Sequence, residues 1–173
     1  AKAIDKKVLQ FSSHTIDISQ TFIRKSMLEL LNEVSGEKVN SMSTSDLFEL
    51  ANAKNISVDK NMNYGQLLDT IFSILVQPKL IQPTFVTDYP TAVSPLAKVS
   101  REGNSEIVER FELFIGGMEF ANSFTELNDP IEQRNRFEAQ SKLRDLGDEE
   151  AQVVDEEFLQ AMEIGMPPTG GVG

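Results

Sequence analysis

The chain has 173 residues, 40% of them hydrophobic and 25% charged, and 16 Lys and Arg against 27 Asp and Glu leave a net charge of −11. That acidity argues against a broad nucleic-acid-binding face, which needs clustered cations, and leaves room for a site that takes a cationic ligand. The absence of cysteine excludes disulfides, thiolate catalysis and cysteine-ligated zinc.

The length suits one domain or a large part of a bigger one. No apolar run approaches the roughly 20 residues of a membrane helix. No charged, apolar and cleavage-site regions open the chain in the manner of a signal peptide. A cytoplasmic protein that does not enter membranes is expected.

Val8 to Phe11 and Thr15 to Ile18 read as short strands around Ser12-Ser13-His14. Ser26 with Glu29 is a capping-box pattern for a helix through about Val34, ended by Ser35-Gly36. Ser41 to Ser45 is a polar link, and Asp46 with Glu49 predicts a second short helix to about Asn55. From about Tyr64 to Val76, Leu67, Leu68, Ile71, Phe72 and Leu75 form the buried stripe of a longer helix, and Pro78 ends it. Pro83 to Pro90 is a strand bracketed by prolines.

Glu106 to Ile115 alternates, with Ile107, Phe111, Leu113 and Ile115 on one parity and Arg110 and Glu112 between them. This predicts a half-buried antiparallel strand. Gly116-Gly117 turns it into a second strand, from about Met118 to Thr125. Asp129-Pro130-Ile131-Glu132 starts a helix that runs to about Leu146, with Gly147 as its stop. Asp155 to Ile164 is a last helix before Gly165 and Pro167-Pro168. Antiparallel strands with helices between and beside them make an α+β domain.

Residues 116–130 mix Glu119, Asn122 and Glu126 with Phe120, Ala121 and Phe124. A strand normally keeps its acids at its ends or on its wet face, so here polar groups point into a cleft. Two carboxylates converging on a cleft can hold a divalent cation, bind an ammonium group or exchange protons. On composition alone, Glu119 and Glu126 read more readily as solvated strand-end acids than as metal ligands, Asn122 as a satisfied core amide and Phe124 as core. His14, the only histidine, reads as a solvated turn residue. The runs Asp148-Glu149-Glu150 and Asp155-Glu156-Glu157 read as solvated helix ends.

Spacing poses a geometric problem. Asn122, Phe124 and Glu126 share a face of a regular strand, whereas Glu119, seven residues from Glu126, faces the other way. For Glu119 to join them the strand must bulge or end in between, and Ala121 and Ser123 are small enough for a bend.

Several segments together resemble the class II lysyl-tRNA synthetases. They are Gln82 to Pro90, Ser94-Pro95-Leu96-Ala97-Lys98, Arg110-Phe111-Glu112-Leu113-Phe114 and Glu119 to Pro130. Gln133, Arg136-Phe137 and Gln140 follow in the next helix, and Gly165 to Gly173 close the chain. The run Thr125-Glu126-Leu127-Asn128-Asp129-Pro130 is specific to the lysine enzymes within that class.

The resemblance implies an antiparallel active-site sheet flanked by helices, with about 17–60 as a small helical insert and 64–173 as the sheet and its helices. It implies a partial catalytic domain, 1–173, lying between the family's motif 2 and motif 3. The ends look cut, because Ala1 is no initiator methionine and Gly173 stops partway into an element.

A parent of this kind would activate lysine with ATP, using Mg²⁺, and transfer it to tRNA(Lys). It would be a homodimer joined through motif 1. The segment by itself would be monomeric and inactive, with no certain catalytic residue, since both phosphate-gripping arginines lie outside it. By resemblance, Glu119 is an ATP-side ligand, and Glu119 and Glu126 hold the metal. Asn122, Phe124, Glu126 and Gly173 line the lysine pocket, with Gly171 at its wall. Two alternatives stand beside this: a synthetase paralogue that attaches a lysine-like group to a protein, and a non-catalytic interaction module that retains the fold.

Overall fold

The computed structural model describes residues 6–145 and 153–173. Gly147 and the acidic run 148–150 lie outside the described residues.

Two strands, β1 (Val8–Phe11) and β2 (His14–Asp17), pair antiparallel as a separate hairpin. The main sheet has five strands in the order β3 (Ile23–Ser26), β4 (Thr84–Thr87), β5 (Arg110–Ile115), β6 (Met118–Thr125) and β7 (Gly170–Val172). Only the β3–β4 pair is parallel; the other three pairs are antiparallel. The helices are α1 (Met27–Ser35), α2 (Thr44–Ala53), α3 (Tyr64–Leu75), α4 (Pro130–Asp145) and α5 (Glu156–Gly165). The α+β class expected from the sequence holds. Among the described residues no helix is long and apolar enough to cross a membrane.

Local signals set most boundaries. Ser26 caps α1 through a capping box with Glu29, and Gly36 closes it at φ 79°, a left-handed conformation that glycine adopts without strain. Asn63 and Gln66 form the same box on α3. α2 starts earlier than Asp46 predicts: Ser43 is the cap, and Asp46 is the third helical residue that reaches back to it. Within 17–60, expected as a purely helical insert, Ile23–Ser26 is a strand on the edge of the main sheet. Its sequence has no alternation; the edge of β4 supplies the partner that holds it extended.

One hydrophobic core joins this region to the sheet. Met27 and Leu31 of α1, Leu47 of α2, and Leu67, Leu68 and Ile71 of α3 pack with Val86 and Phe114. Phe72 meets Phe114 ring to ring at 5.8 Å. α4 and α5 form a second small cluster around Phe137, Leu159 and Met162.

The buried face of β5 is the reverse of the one its alternation predicts. Glu112 and Phe114 are buried, while Phe111, Leu113 and Ile115 are only half-buried. The apolar parity faces the side of the sheet that also carries Phe85, and Phe85 meets Phe111 edge to face at 5.4 Å. α3 covers the other side, so that is where burial is deepest.

Candidate functional site

The β5–β6 hairpin builds the site. Arg110 pairs with Phe124, Glu112 with Asn122 and Leu113 with Ala121, but the next pair is Phe114 with Glu119. Phe120 is therefore an extra residue, a β-bulge that shifts the side-chain phase by one. The shift brings Glu119 to the same face as Asn122 and Phe124, which the spacing requires, and it falls at Phe120 rather than at Ala121 or Ser123. The ring of Phe120 meets Phe11 of the β1–β2 hairpin edge to face at 6.2 Å.

β7 continues this face. Gly171 pairs with Phe124, and Gly173 exchanges both backbone hydrogen bonds with Asn122 at 2.9 Å. A β-carbon at Gly171 would stand 4.0 Å from a carboxylate oxygen of Glu126, and one at Gly173 would meet nothing. The two glycines thus leave an open lane beside Asn122, Phe124 and Glu126. The predicted pocket residues Asn122, Phe124, Glu126 and Gly173 stand along that lane.

Glu126 lies just past the end of β6, in a bridge with Ala97. Six strand steps separate it from Glu119 once the bulge is counted, roughly 20 Å at strand rise. Two glutamate side chains do not reach a common ion across that gap.

The carboxylate beside Glu119 is instead Glu112, on the same face of the sheet and two residues along β5 from Phe114, with which Glu119 pairs. Glu112 is 7% exposed and densely hydrogen-bonded. Its Oε2 accepts from the Tyr89 hydroxyl at 2.6 Å, and its Oε1 accepts from Asn122 Nδ2 at 3.2 Å and from Arg110 Nη2. Arg110 also donates to Asn122 Oδ1 at 3.3 Å and to Ser94 Oγ at 2.7 Å, and its guanidinium lies 4.6 Å above the Tyr89 ring. Desolvation, then the neighbouring Glu112 carboxylate, push the Tyr89 hydroxyl far above its ordinary range, so it stays protonated and donates.

Sequence reasoning assigned no role to Glu112, Arg110 or Tyr89. Periodicity marks only where apolar side chains go, and a buried acid held by three donors leaves no trace in it. The one available signal was the pair of charges on a strand whose hairpin partner carries further acids.

Partial desolvation of its carboxyl, although the residue as a whole is exposed, then the charge of Glu112 and lastly that of Asp69 of α3, raise the proton affinity of Glu119. Asp69 is raised as well, by desolvation first and by Glu112 second. The face is therefore a patch of negative potential that a cation would relieve. Among the described residues no cluster of three acid or histidine groups is placed to cage a metal.

The sign of the stability effect follows from the raised affinity of Glu119. The folded state holds that proton more tightly than the unfolded state, so the ionised group weakens the fold increasingly as pH rises through its folded-state pKa. Glu119→Gln is expected to raise the thermal midpoint of the ligand-free protein at neutral pH. The gain should close toward about pH 4, where the ordinary carboxylate is also protonated. A lower midpoint at neutral pH would contradict the electrostatic picture.

The opposite side of the sheet carries a cleft of about 720 Å³, lined in part by Phe85, Thr87, Phe111, Ser123 and Thr125. Three acids line it, Asp88, Glu102 and Glu109, and Glu109 is occupied by a bidentate pair with Arg101 at 2.6 and 2.7 Å, which holds the carboxyl down at about 2. Glu109 is thus committed to Arg101, whereas Glu112 and Glu119 share the other face.

A family model described as tRNA synthetases class II (D, K and N) matches residues 2–173. The chain is 46% identical over 163 residues to a lysine–tRNA ligase of Christiangramia forsetii, covering 94% of this chain and 28% of that protein. It is 44% identical over 173 residues to a lysine–tRNA ligase of Moorella thermoacetica, covering 99% of this chain and 35% of that protein. A lysine–tRNA ligase of Prochlorococcus marinus is 47% identical over 169 residues, with 96% and 33% covered. The chain spans about a third of the length of these relatives.

Proposed function

Because the chain belongs to the class II tRNA synthetases (D, K and N), we propose that it forms part of a lysine–tRNA ligase, in which the lysine carboxylate attacks the α-phosphorus of ATP, pyrophosphate leaves, and the lysyl group of the resulting lysyl-adenylate passes to tRNA(Lys) with release of AMP. The observation that carries the lysine assignment is the lane bounded by Glu126, Gly171 and Gly173, with Phe124 beside it. An amino acid ending in an ammonium group needs a carboxylate at the end of its pocket. That pairing gains strength where a ligand excludes water. The glycines supply the width for a long unbranched side chain, and Phe124 supplies an apolar flank to its methylenes.

Adenylate formation needs placement and charge neutralisation more than covalent help. Glu112 and Glu119 are the residues that would hold Mg²⁺, in place of the pairing of Glu119 with Glu126. Their donor set fits: Mg²⁺ takes one or two carboxylates and completes its shell with phosphate oxygens and water. Glu112 keeps one acceptor position on Oε2 after its three hydrogen bonds, and Glu119 is exposed. The ion, when bound, neutralises phosphate charge. Arg110 and Tyr89 hold the Glu112 carboxylate in a fixed orientation, and Asn122 carries an amide between the carboxylates and the lysine lane.

The test is amino-acid-dependent ATP–pyrophosphate exchange by the full-length polypeptide that carries these residues. Lysine alone among the common amino acids is expected to support exchange, and Glu126→Gln to raise the KM for lysine by about 10²-fold. Exchange with aspartate or asparagine, or an unchanged lysine KM in Glu126→Gln, would refute the reading. Residues 1–173 alone are expected to show no exchange.

A further inference from the structure

Arg136 has no place in the chemistry just described, yet it is 8% exposed on the inner side of α4. Its Nη1 converges on three backbone carbonyls of one loop: Ser94 at 3.4 Å, Pro95 at 3.3 Å and Ala97 at 2.7 Å. Its Nε donates to Glu132 Oε1 at 2.9 Å, one turn earlier on α4. A buried guanidinium that gives Nη1 to one loop while its Nη2 has no hydrogen-bond partner among the described residues is a costly arrangement unless that loop must not move.

The loop touches the site at two points. At Ser94, the hydroxyl accepts from Arg110 Nη1 at 2.7 Å, and Arg110 in turn donates to Asn122. At Ala97, the backbone bridges Glu126. On either side, Leu127 N donates to Leu96 O at 3.0 Å and Lys98 N to Thr125 O at 2.8 Å. Asn122 and Glu126 are the two polar side chains of the lysine lane. Both are tied to the loop that Arg136 clamps, one through Ser94 and Arg110 and the other through Ala97.

We infer that Arg136 is a positioning residue for lysine: through the 94–97 loop it sets the spacing between Asn122 and Glu126, and so tunes amino-acid affinity from outside the pocket. Lysine at this position would keep the charge but not the second donor, Nε, that ties the side chain to Glu132 while Nη1 reaches the loop. The inference rests on the lysine-lane reading above.

The experiment measures ATP–pyrophosphate exchange in the full-length polypeptide for Arg136→Lys, Ser94→Ala and the double variant, with thermal midpoints recorded alongside. Arg136→Lys should raise the lysine KM by about tenfold while the ATP KM changes by less than about threefold, since misplacement of this kind acts on the group displaced. Ser94→Ala should act in the same direction. In the double variant it should add less than a further twofold or so, because the two changes cut one connection. Glu132→Ala, which removes the Nε partner from a more exposed position, should raise the lysine KM by about threefold and serves if Arg136→Lys does not fold.

A lowered midpoint with lysine KM unchanged would make Arg136 a merely structural residue and overturn the inference. Equal rises in both KM values, or multiplicative effects in the double variant, would do the same. Failure of the unsubstituted protein to use lysine at all would instead overturn the underlying function, and the two failures are separately visible.

Discussion

Glu112→Ala is expected to remove measurable exchange activity and to destabilise the fold by about 3–5 kcal/mol, the range for breaking a buried ion pair on one side only. The size follows from what is left behind. Arg110 loses its buried counter-charge, and the Tyr89 hydroxyl, with its ring fully buried, loses its acceptor. Glu112→Gln separates the two effects. The amide keeps an oxygen toward Arg110 or Tyr89 and the same volume, so the stability loss should shrink to about 1–2 kcal/mol. Activity should still fall by at least about 10²-fold, because the charge that positions a cation beside Glu119 is gone. Urea denaturation and exchange kinetics on the two variants measure this directly. Near-normal kcat/KM in a folded Glu112→Gln protein would remove Glu112 from the site.

Gly65→Ala is the second large effect, and it acts through packing alone. Gly65 lies in the first turn of α3, where a β-carbon would stand 2.8 Å from the carbonyl carbon of Ala92 and closer still to its oxygen. Both obstacles are backbone, so no side-chain rotation relieves them. The helix or the 3-10 turn at Thr91–Val93 must move, at a cost of about 1–3 kcal/mol or more for overpacking. That turn leads directly into Ser94 and the loop that supports the site. A fall in the urea midpoint with unchanged slope is expected. An unchanged midpoint would mean that α3 does not approach the turn this closely.

The Ser26–Glu29 capping box of α1, the stripe of α3 and the Asp129-Pro130 helix start were legible in the sequence because each is a short-range pattern with its own physics. The β5–β6 hairpin was legible too, and so was the bulge or break that Glu119 needs to join Asn122 and Phe124, since on a regular strand parity puts it on the other face. β3 was not, because Ile23-Arg24-Lys25-Ser26 carries two cations and no alternation, and only the neighbouring edge of β4 makes it a strand. The start of α2 was ambiguous: Ser43 with Asp46 and Asp46 with Glu49 share one spacing, and the hydrogen bonds go to the first pair.

Glu112 was missed for a deeper reason. Alternation sorts residues by polarity, and a strand face that buries an acid beneath Tyr89, Arg110 and Asn122 breaks that sorting. Such breaks gather where function outweighs local preference. The resemblance assigned Glu119 and Glu126 to one metal, which takes no account of the length of the strand between them, and Glu112 is the partner proposed for Glu119 instead. The proposed function accordingly has two subsites on one face: a carboxylate pair, Glu112 and Glu119, at the bulge end, and Glu126 as the acid for the lysine ammonium at the glycine end.

The most direct test of this division is a crystal structure of the full-length polypeptide with lysine, a non-hydrolysable ATP analogue and Mn²⁺ in place of Mg²⁺, read by anomalous scattering. The account predicts a manganese peak within coordination distance, about 2.0–2.3 Å, of carboxylate oxygens of Glu112 and Glu119. It also predicts the lysine ammonium against Glu126 and the lysine side chain lying along Gly171 and Gly173. A manganese peak at Glu126, or lysine bound on the Phe85–Phe111 side of the sheet, would contradict it.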